Sequence, residues 1–193
     1  MRERWREWPV PGAGLWVDLG AHLLDQVVKL FGRPDTLQLD TARLRDGAQV
    51  EDYFHAVLRY ETATAAPLRV VLHATTLAAH AAPRYLLHGT RGSYIKHGVD
   101  PQEDALRAGE RPGSEGWGVD PHDGELVVAA ADNWTSRRNV PTRAGNYADY
   151  YAAVRDAILG KSANPVPPEQ AVELMELLDL GTRSAQEGRA LSS

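Results

Sequence analysis

Gly14-Leu15-Trp16-Val17-Asp18-Leu19-Gly20-Ala21-His22-Leu23-Leu24-Asp25 opens the first regular element of this 193-residue chain. Apolar residues at Trp16, Leu19, Leu23, Val27 and Leu30 recur at helical spacing, and Leu24, Val28 and Phe31 widen the stripe. Gly32, with Pro34 just beyond it, stops the helix. Asp18, His22 and Asp25 stand four and three residues apart, so a regular helix stacks them on one face, and Lys29 continues the row.

Downstream the hydrophobic period changes from that of a helix to two. Leu37–Leu44, Asp52–Tyr60 and Leu68–Ala74 read as strands, separated by turn-type linkers such as Arg45-Asp46-Gly47 and Ala65-Ala66-Pro67. Tyr85–His88 and Ser93–Lys96 flank Gly89-Thr90-Arg91-Gly92 as a hairpin, and Glu125–Ala130 and Trp134–Val140 are further strands. Asp100-Pro101-Gln102-Glu103 has the pattern of a capping box and predicts a short helix through Arg107. The Gly- and Pro-rich stretch from Gly109 to Gly124 reads as a long surface loop. Tyr147, Tyr151, Val154 and Ile158 mark a penultimate helix. A last helix follows Pro165-Val166-Pro167-Pro168, with Ala171, Leu174, Met175, Leu178 and Gly181 inward.

About seven strands without intervening helices predict an α+β domain spanning residues 1–193. Its expected form is a large open, predominantly antiparallel sheet with helices packed on one face. The other face is semi-apolar: Tyr53, His55 and Val57 oppose Phe54, Ala56 and Leu58 along one strand. Such a face favours a partner surface, and a homo-oligomer is the expectation.

Composition narrows the function classes. With 43% hydrophobic and 24% charged residues the chain reads as globular. No apolar run approaches the roughly 20 residues of a membrane span, and no apolar core follows the charged N-terminus as in a signal peptide. Cysteine is absent, which excludes disulfides and thiolate chemistry and fits the cytoplasm. A net charge of −5 argues against nucleic-acid binding.

The candidate chemistry sits on the first helix. An imidazole suits proton transfer near neutrality, and a carboxylate one turn away can orient it. Gly14 and Gly20 are costly inside a helix, which points to something approaching the backbone closely. Against this stands a plainer reading: Asp, His, Asp and Lys at this spacing also describe a solvated helix face. A metal site built from Asp18, His22 and Asp25 lacks a second histidine and an evident fourth ligand. Trp16 is a candidate pocket wall or a core residue. Asn146 and Tyr147, at the start of the penultimate helix, either reach a substrate or pack that helix on the sheet. Lys96 and His97, at a strand end, read mainly as surface decoration.

The pattern Gly-x-x-x-Asp-x-Gly-x-His-x-x-Asp, followed by Phe31-Gly32-Arg33-Pro34, resembles the start of the C-terminal domain in the glucose–fructose oxidoreductase, inositol dehydrogenase and rhizopine-catabolism (Gfo/Idh/MocA) family. His88–Ser93 looks like the family's hairpin. Asn146-Tyr147 with Tyr150-Tyr151, then Ser184-Ala185 with Gly188-Arg189, look like its closing helices. Within that family the pattern resembles most the scyllo-inositol-type dehydrogenases. The resemblance implies an oxidoreductase acting on a sugar or polyol with NAD or NADP, the cofactor held mainly by an N-terminal Rossmann domain. It implies His22 as general acid/base. It further implies that Asp18 orients the substrate hydroxyl and a lysine of a Lys-Pro motif from that other domain. This chain has no Lys-Pro pair, and Gly12-Ala13-Gly14 follows no strand and is no dinucleotide fingerprint. The isolated chain is therefore expected to be inactive. The rival expectations are a non-enzymatic sugar-binding or dimerisation module of the same fold, and a metal-dependent hydrolase.

Overall fold

The computed structural model describes residues 5–61, 66–129 and 135–193. After a single 3-10 turn at Trp5–Glu7 come a π-helical turn (Trp16–Gly20) and α1 (Ala21–Phe31), then β1 (Thr36–Ala42), β2 (Tyr53–Tyr60) and β3 (Leu68–Thr75). The middle of the chain holds β4 (Tyr85–Gly89), β5 (Gly92–Lys96), α2 (Gln102–Arg107), β6 (Gly124–Ala129) and β7 (Thr135–Val140). It closes with α3 (Tyr147–Ile158), α4 (Pro168–Glu187) and the short β8 (Leu191–Ser192). Ala65, Ala130 and Trp134, used above to bound a turn and two strands, lie outside the described residues.

These elements fall into two compact units. One runs up to Ala79 and takes in Val166–Ser193; the other is His80–Pro165. The expected antiparallel sheet is accordingly divided. Among the described residues the first unit carries a four-stranded sheet in the order β3-β2-β1-β8, and the second carries β4-β5-β6-β7. All the pairings are antiparallel.

In the first unit the period-two pattern of β2 does what it predicts. Phe54, Ala56, Leu58 and Tyr60 are buried, while Tyr53, His55 and Val57 are half-covered on the opposite face. The buried row packs with Leu37 and Leu39 of β1 beneath α1 and α4, which bring Leu24, Val27, Leu177 and Leu178. The stripe of the first helix differs from its sequence reading. Leu19 and Leu30 are exposed, and the inward line runs Trp16, Gly20, Leu24, Val27. The π turn gives this stretch more residues per turn than an α-helix, so an α-helical wheel misplaces its first residues. On α4 the inward face is Leu177, Leu178, Gly181 and Ser184; Ala171 and Met175 are exposed. Only the C-terminal half of α4 is buried, which the even spread of its apolar residues conceals.

The β1–β2 connection is held by Asp52, which is buried. Its carboxylate accepts the backbone N–H of Leu44 at 2.7 Å and of Arg45 at 3.1 Å, and the Arg45 guanidinium at 2.8 Å. Burial alone would push this carboxyl up, but the Leu44 and Arg45 donors outweigh it and hold it below the ordinary carboxylate value. A folded-state pKa below the unfolded one gives stability that is present above the unfolded value, about 3.9, and is lost as pH falls through the folded value. Asp52→Asn should therefore lose about 1–3 kcal/mol at neutral pH. In urea titrations the gap to the parent should shrink below about pH 4; a gap independent of pH would remove the charge from this account.

In the second unit β4 and β5 form the expected hairpin, with Thr90-Arg91 at the turn and His88 Nδ1 2.7 Å from Ser93 Oγ. Half of the capping box is present. Asp100 accepts the Gln102 N–H at 2.9 Å, but Glu103 turns outward to Arg107, 2.9 Å away. The Gly109–Gly124 stretch is a run of turns that sends two side chains back inward, Trp117 to Gln102 and Asp120 to Lys96. Lys96 is thus no surface decoration but half of a buried ion pair at 2.6 Å. α3 has the predicted periodicity but no buried residue, and Tyr151 and Ile158 stand exposed.

Candidate active site

The first helix begins where three glycines, a tryptophan and an acid meet. Gly14 has φ +102°, which only glycine adopts easily, and the Glu51 carboxylate occupies the space a Cβ would need. Glu51 accepts the Trp16 N–H through Oε1 at 3.4 Å and the Leu15 N–H through its backbone oxygen at 3.1 Å. It thereby satisfies donors that a helix start leaves without partners. The Trp16 ring then fits between two further glycines. A Cβ on Gly20 would stand 2.5 Å from its Cε3, and one on Gly181 of α4 2.5 Å from its Cζ2. Its indole N–H donates to the Leu178 carbonyl at 3.1 Å, and Phe54 meets it edge-on at 5.2 Å. The close approach that the glycines promised is made by the protein's own side chains. Trp16 is a core residue, 2% exposed, and so presents no face to a solute in this chain.

Burying Trp16 turns the other side of the π turn outward. Asp18 lies there, one third exposed, with Arg6 Nε 3.0 Å from its Oδ1. Arg6 is brought to it by a loop closed through the Gly14 N–H to Arg6 carbonyl bond, 3.1 Å long. The guanidinium also lies over the Trp5 ring, 5.3 Å from its centroid. Arg6 was not singled out from the sequence, because an ion pair across a loop leaves no periodic signal. One turn further on, His22 is only partly covered, and among the described residues no side chain pairs with its imidazole. Asp25 and Lys29 continue outward along α1. A π turn inside a helix often marks a functional site; here it presents Asp18 to solvent, and His22 follows on the first turn of α1. Among the described residues no group of three or more His, Asp or Glu is arranged to hold a metal ion.

Asn146 and Tyr147 belong to the second unit, at the start of α3. Asn146 Oδ1 accepts the Ala148 N–H at 3.2 Å, as a helix cap does. Tyr147 is partly exposed. Burial first, then the charges of Asp100 and Glu103, push its phenol above the ordinary tyrosine value, so it remains a hydroxyl able to donate a hydrogen bond. A surface hollow of about 320 Å³ in the first unit is lined by Thr41, Arg43, Gln49, Val50 and Glu51 among others; neither Asp18 nor His22 borders it.

Both sheets are antiparallel, and no Gly-x-Gly-x-x-Gly joins a strand to a helix in this sequence. The described residues therefore hold no βαβ turn of the Rossmann kind.

The fold is thus an antiparallel α+β arrangement headed by a helix that shows an aspartate and a histidine to solvent. The chain belongs to the Gfo/Idh/MocA oxidoreductase family, whose C-terminal alpha/beta domain matches residues 1–192. It is 50% identical over 186 residues to the uncharacterized oxidoreductase YdgJ of Escherichia coli (strain K12), covering 96% of this chain and 52% of YdgJ. It is 33% identical over 194 residues to IolW of Bacillus subtilis (strain 168), a scyllo-inositol 2-dehydrogenase (NADP(+)), covering 99% of this chain and 52% of IolW. Among solved structures, YPO2259 from Yersinia pestis superposes with a TM-score of 0.89 at 50% identity, covering all of this chain and 53% of that one. The chain thus spans about half the length of the curated relatives it matches.

Proposed function

We propose that this chain is the substrate-side half of an NAD(P)-dependent oxidoreductase that oxidises a secondary hydroxyl of a sugar or polyol, such as an inositol. The observation that carries the reading is the solvent-facing pair of Asp18 on the π turn and His22 on the first turn of α1, in a chain of this family. His22 takes the proton of the reacting hydroxyl, and Asp18, steadied by Arg6, accepts a hydrogen bond from the substrate. Trp16 acts from behind, holding the helix in place. The nicotinamide supplies the hydride chemistry, and we assign its binding to a Rossmann domain in the other half of the length that the relatives have. IolW, a scyllo-inositol 2-dehydrogenase (NADP(+)), supports the inositol and cofactor assignments.

We also place a second copy of the chain on the open face of the β1–β3 sheet. Val71 is exposed there beside the half-covered Tyr53, His55 and Val57.

The test is an assay of the full-length protein with scyllo-inositol, myo-inositol and simple aldoses, each with NAD and with NADP. Reduction of one cofactor by one of these polyols is expected, and none is expected from the 193-residue chain alone. A full-length protein that is folded, binds nicotinamide and oxidises no polyol or sugar would overturn the substrate class. Turnover by the chain alone would overturn its place as half of a site.

A further inference from the structure

The open face of the β1–β3 sheet carries two imidazoles side by side. In the antiparallel register His55 of β2 lies directly opposite His73 of β3, so both side chains leave the same face. Their ring centroids are 5.8 Å apart, with the planes inclined at 55°. His55 is half-covered and His73 exposed.

The two rings are held differently. His73 Nδ1 lies 2.8 Å from the Phe54 carbonyl oxygen, so in the neutral ring Nδ1 carries the hydrogen and donates it there. The Nε2 lone pair is then left available, and a backbone carbonyl behind the ring is the usual partner of a metal-bound imidazole. Tyr53 meets the same ring edge-on at 5.2 Å and limits its turning. His55 makes no hydrogen bond among the described residues, and its ring can turn towards His73.

The spacing suits one shared ion. An imidazole nitrogen binds zinc at about 2.0–2.1 Å, which puts the ring centroid about 3.2 Å from the metal. Two rings on one tetrahedral ion then have centroids about 5.2 Å apart, and a small turn of His55 closes the observed 5.8 Å to that. The charges agree. Asp40 of β1 lies opposite His55 on its other side and adds a carboxylate to the same row. Arg59 and Arg69, the arginines of β2 and β3, face each other two rows further along, and Arg69 is paired with Glu61 at 2.5 Å.

We infer that His55 and His73 are the protein ligands of a site for a divalent cation of the zinc and nickel class, its remaining positions filled by water. Neutral imidazoles suit such ions, whereas magnesium and calcium take oxygen ligands. Both ligands come from one chain, and no residue of a second copy is needed.

Calorimetric titration of the full-length protein with zinc chloride tests this. The parent should bind one equivalent of Zn²⁺ that His73→Ala either loses or holds at least about tenfold more weakly. His73 is the exposed member of the pair, so this variant should fold as the parent does. His55→Ala should lose the same equivalent. His80→Ala, at an exposed histidine outside the sheet, should bind as the parent does. Zinc binding by His73→Ala with the parent's stoichiometry and affinity overturns the site. An equal loss on His80→Ala, or a parent that binds no zinc, overturns it as well.

Discussion

His22→Ala in the full-length enzyme should lower kcat by about 10²–10⁴-fold, the usual loss when a general acid/base is removed. The magnitude follows from placement. His22 stands on the first turn of α1, straight after a π turn locked by Trp16, and its imidazole has no competing side-chain partner among the described residues. A base held on a rigid helix needs no reorganisation when the substrate hydroxyl arrives, so its removal should appear in kcat more than in the polyol KM. Asp25→Ala and Lys29→Ala, on the same outward face but further along, should stay within a few-fold of the parent. That contrast separates a catalytic group from a solvated face, the plainer reading that spacing alone left open. Steady-state kinetics on the three variants decide it. If His22→Ala keeps full kcat, or if all three fall together, the proton-transfer role is lost.

Much of the fold could be read from the residues because a one-sided core writes its period into a strand. Phe54, Ala56, Leu58 and Tyr60 alternate with polar or half-covered neighbours, and the β2 pairings with β1 and β3 follow. The hairpin at Thr90-Arg91 was equally plain, since two residues flanked by glycines leave the chain little choice. What was not legible depends on contacts without a period. A π turn inserts extra residues without changing composition, so an α-helical wheel turns Leu19 inward although it is exposed. Exposed α3 and half-buried α4 both carry helical stripes, because periodicity shows which residues share a face and not how much of that face is covered. Arg6 on Asp18, Asp120 on Lys96 and Gln102 on Tyr147 are pairings across 12, 24 and 45 residues, found only once the loops close. A signal for one of them existed. Lys96 lies two residues from Tyr94 along β5 and so shares its face, and a lysine on a covered face implies an acid partner.

Trp16→Ala should destabilise the chain by about 3–5 kcal/mol, the range for truncating a buried large aromatic. The upper end is expected because of what surrounds the ring. Gly20 and Gly181 have no side chains that could move into the space, and the Leu178 carbonyl would lose its indole donor. Trp16→Phe removes that N–H and part of the ring while keeping an aromatic body against Phe54, so it should cost less. Gly181→Ala approaches the same contact from the other side. Its new methyl meets the indole, and overpacking of this kind costs about 1–3 kcal/mol. Urea unfolding should rank the parent first, Trp16→Phe and Gly181→Ala next in either order, and Trp16→Ala last. A loss below about 1 kcal/mol for Trp16→Ala would mean that the helix start does not depend on this contact. The consequence reaches the chemistry, since Asp18 is two residues along the same π turn and Arg6 follows it through Gly14. In the full-length enzyme a folded Trp16→Phe protein should therefore show a raised polyol KM although the Trp16 ring is buried in this chain.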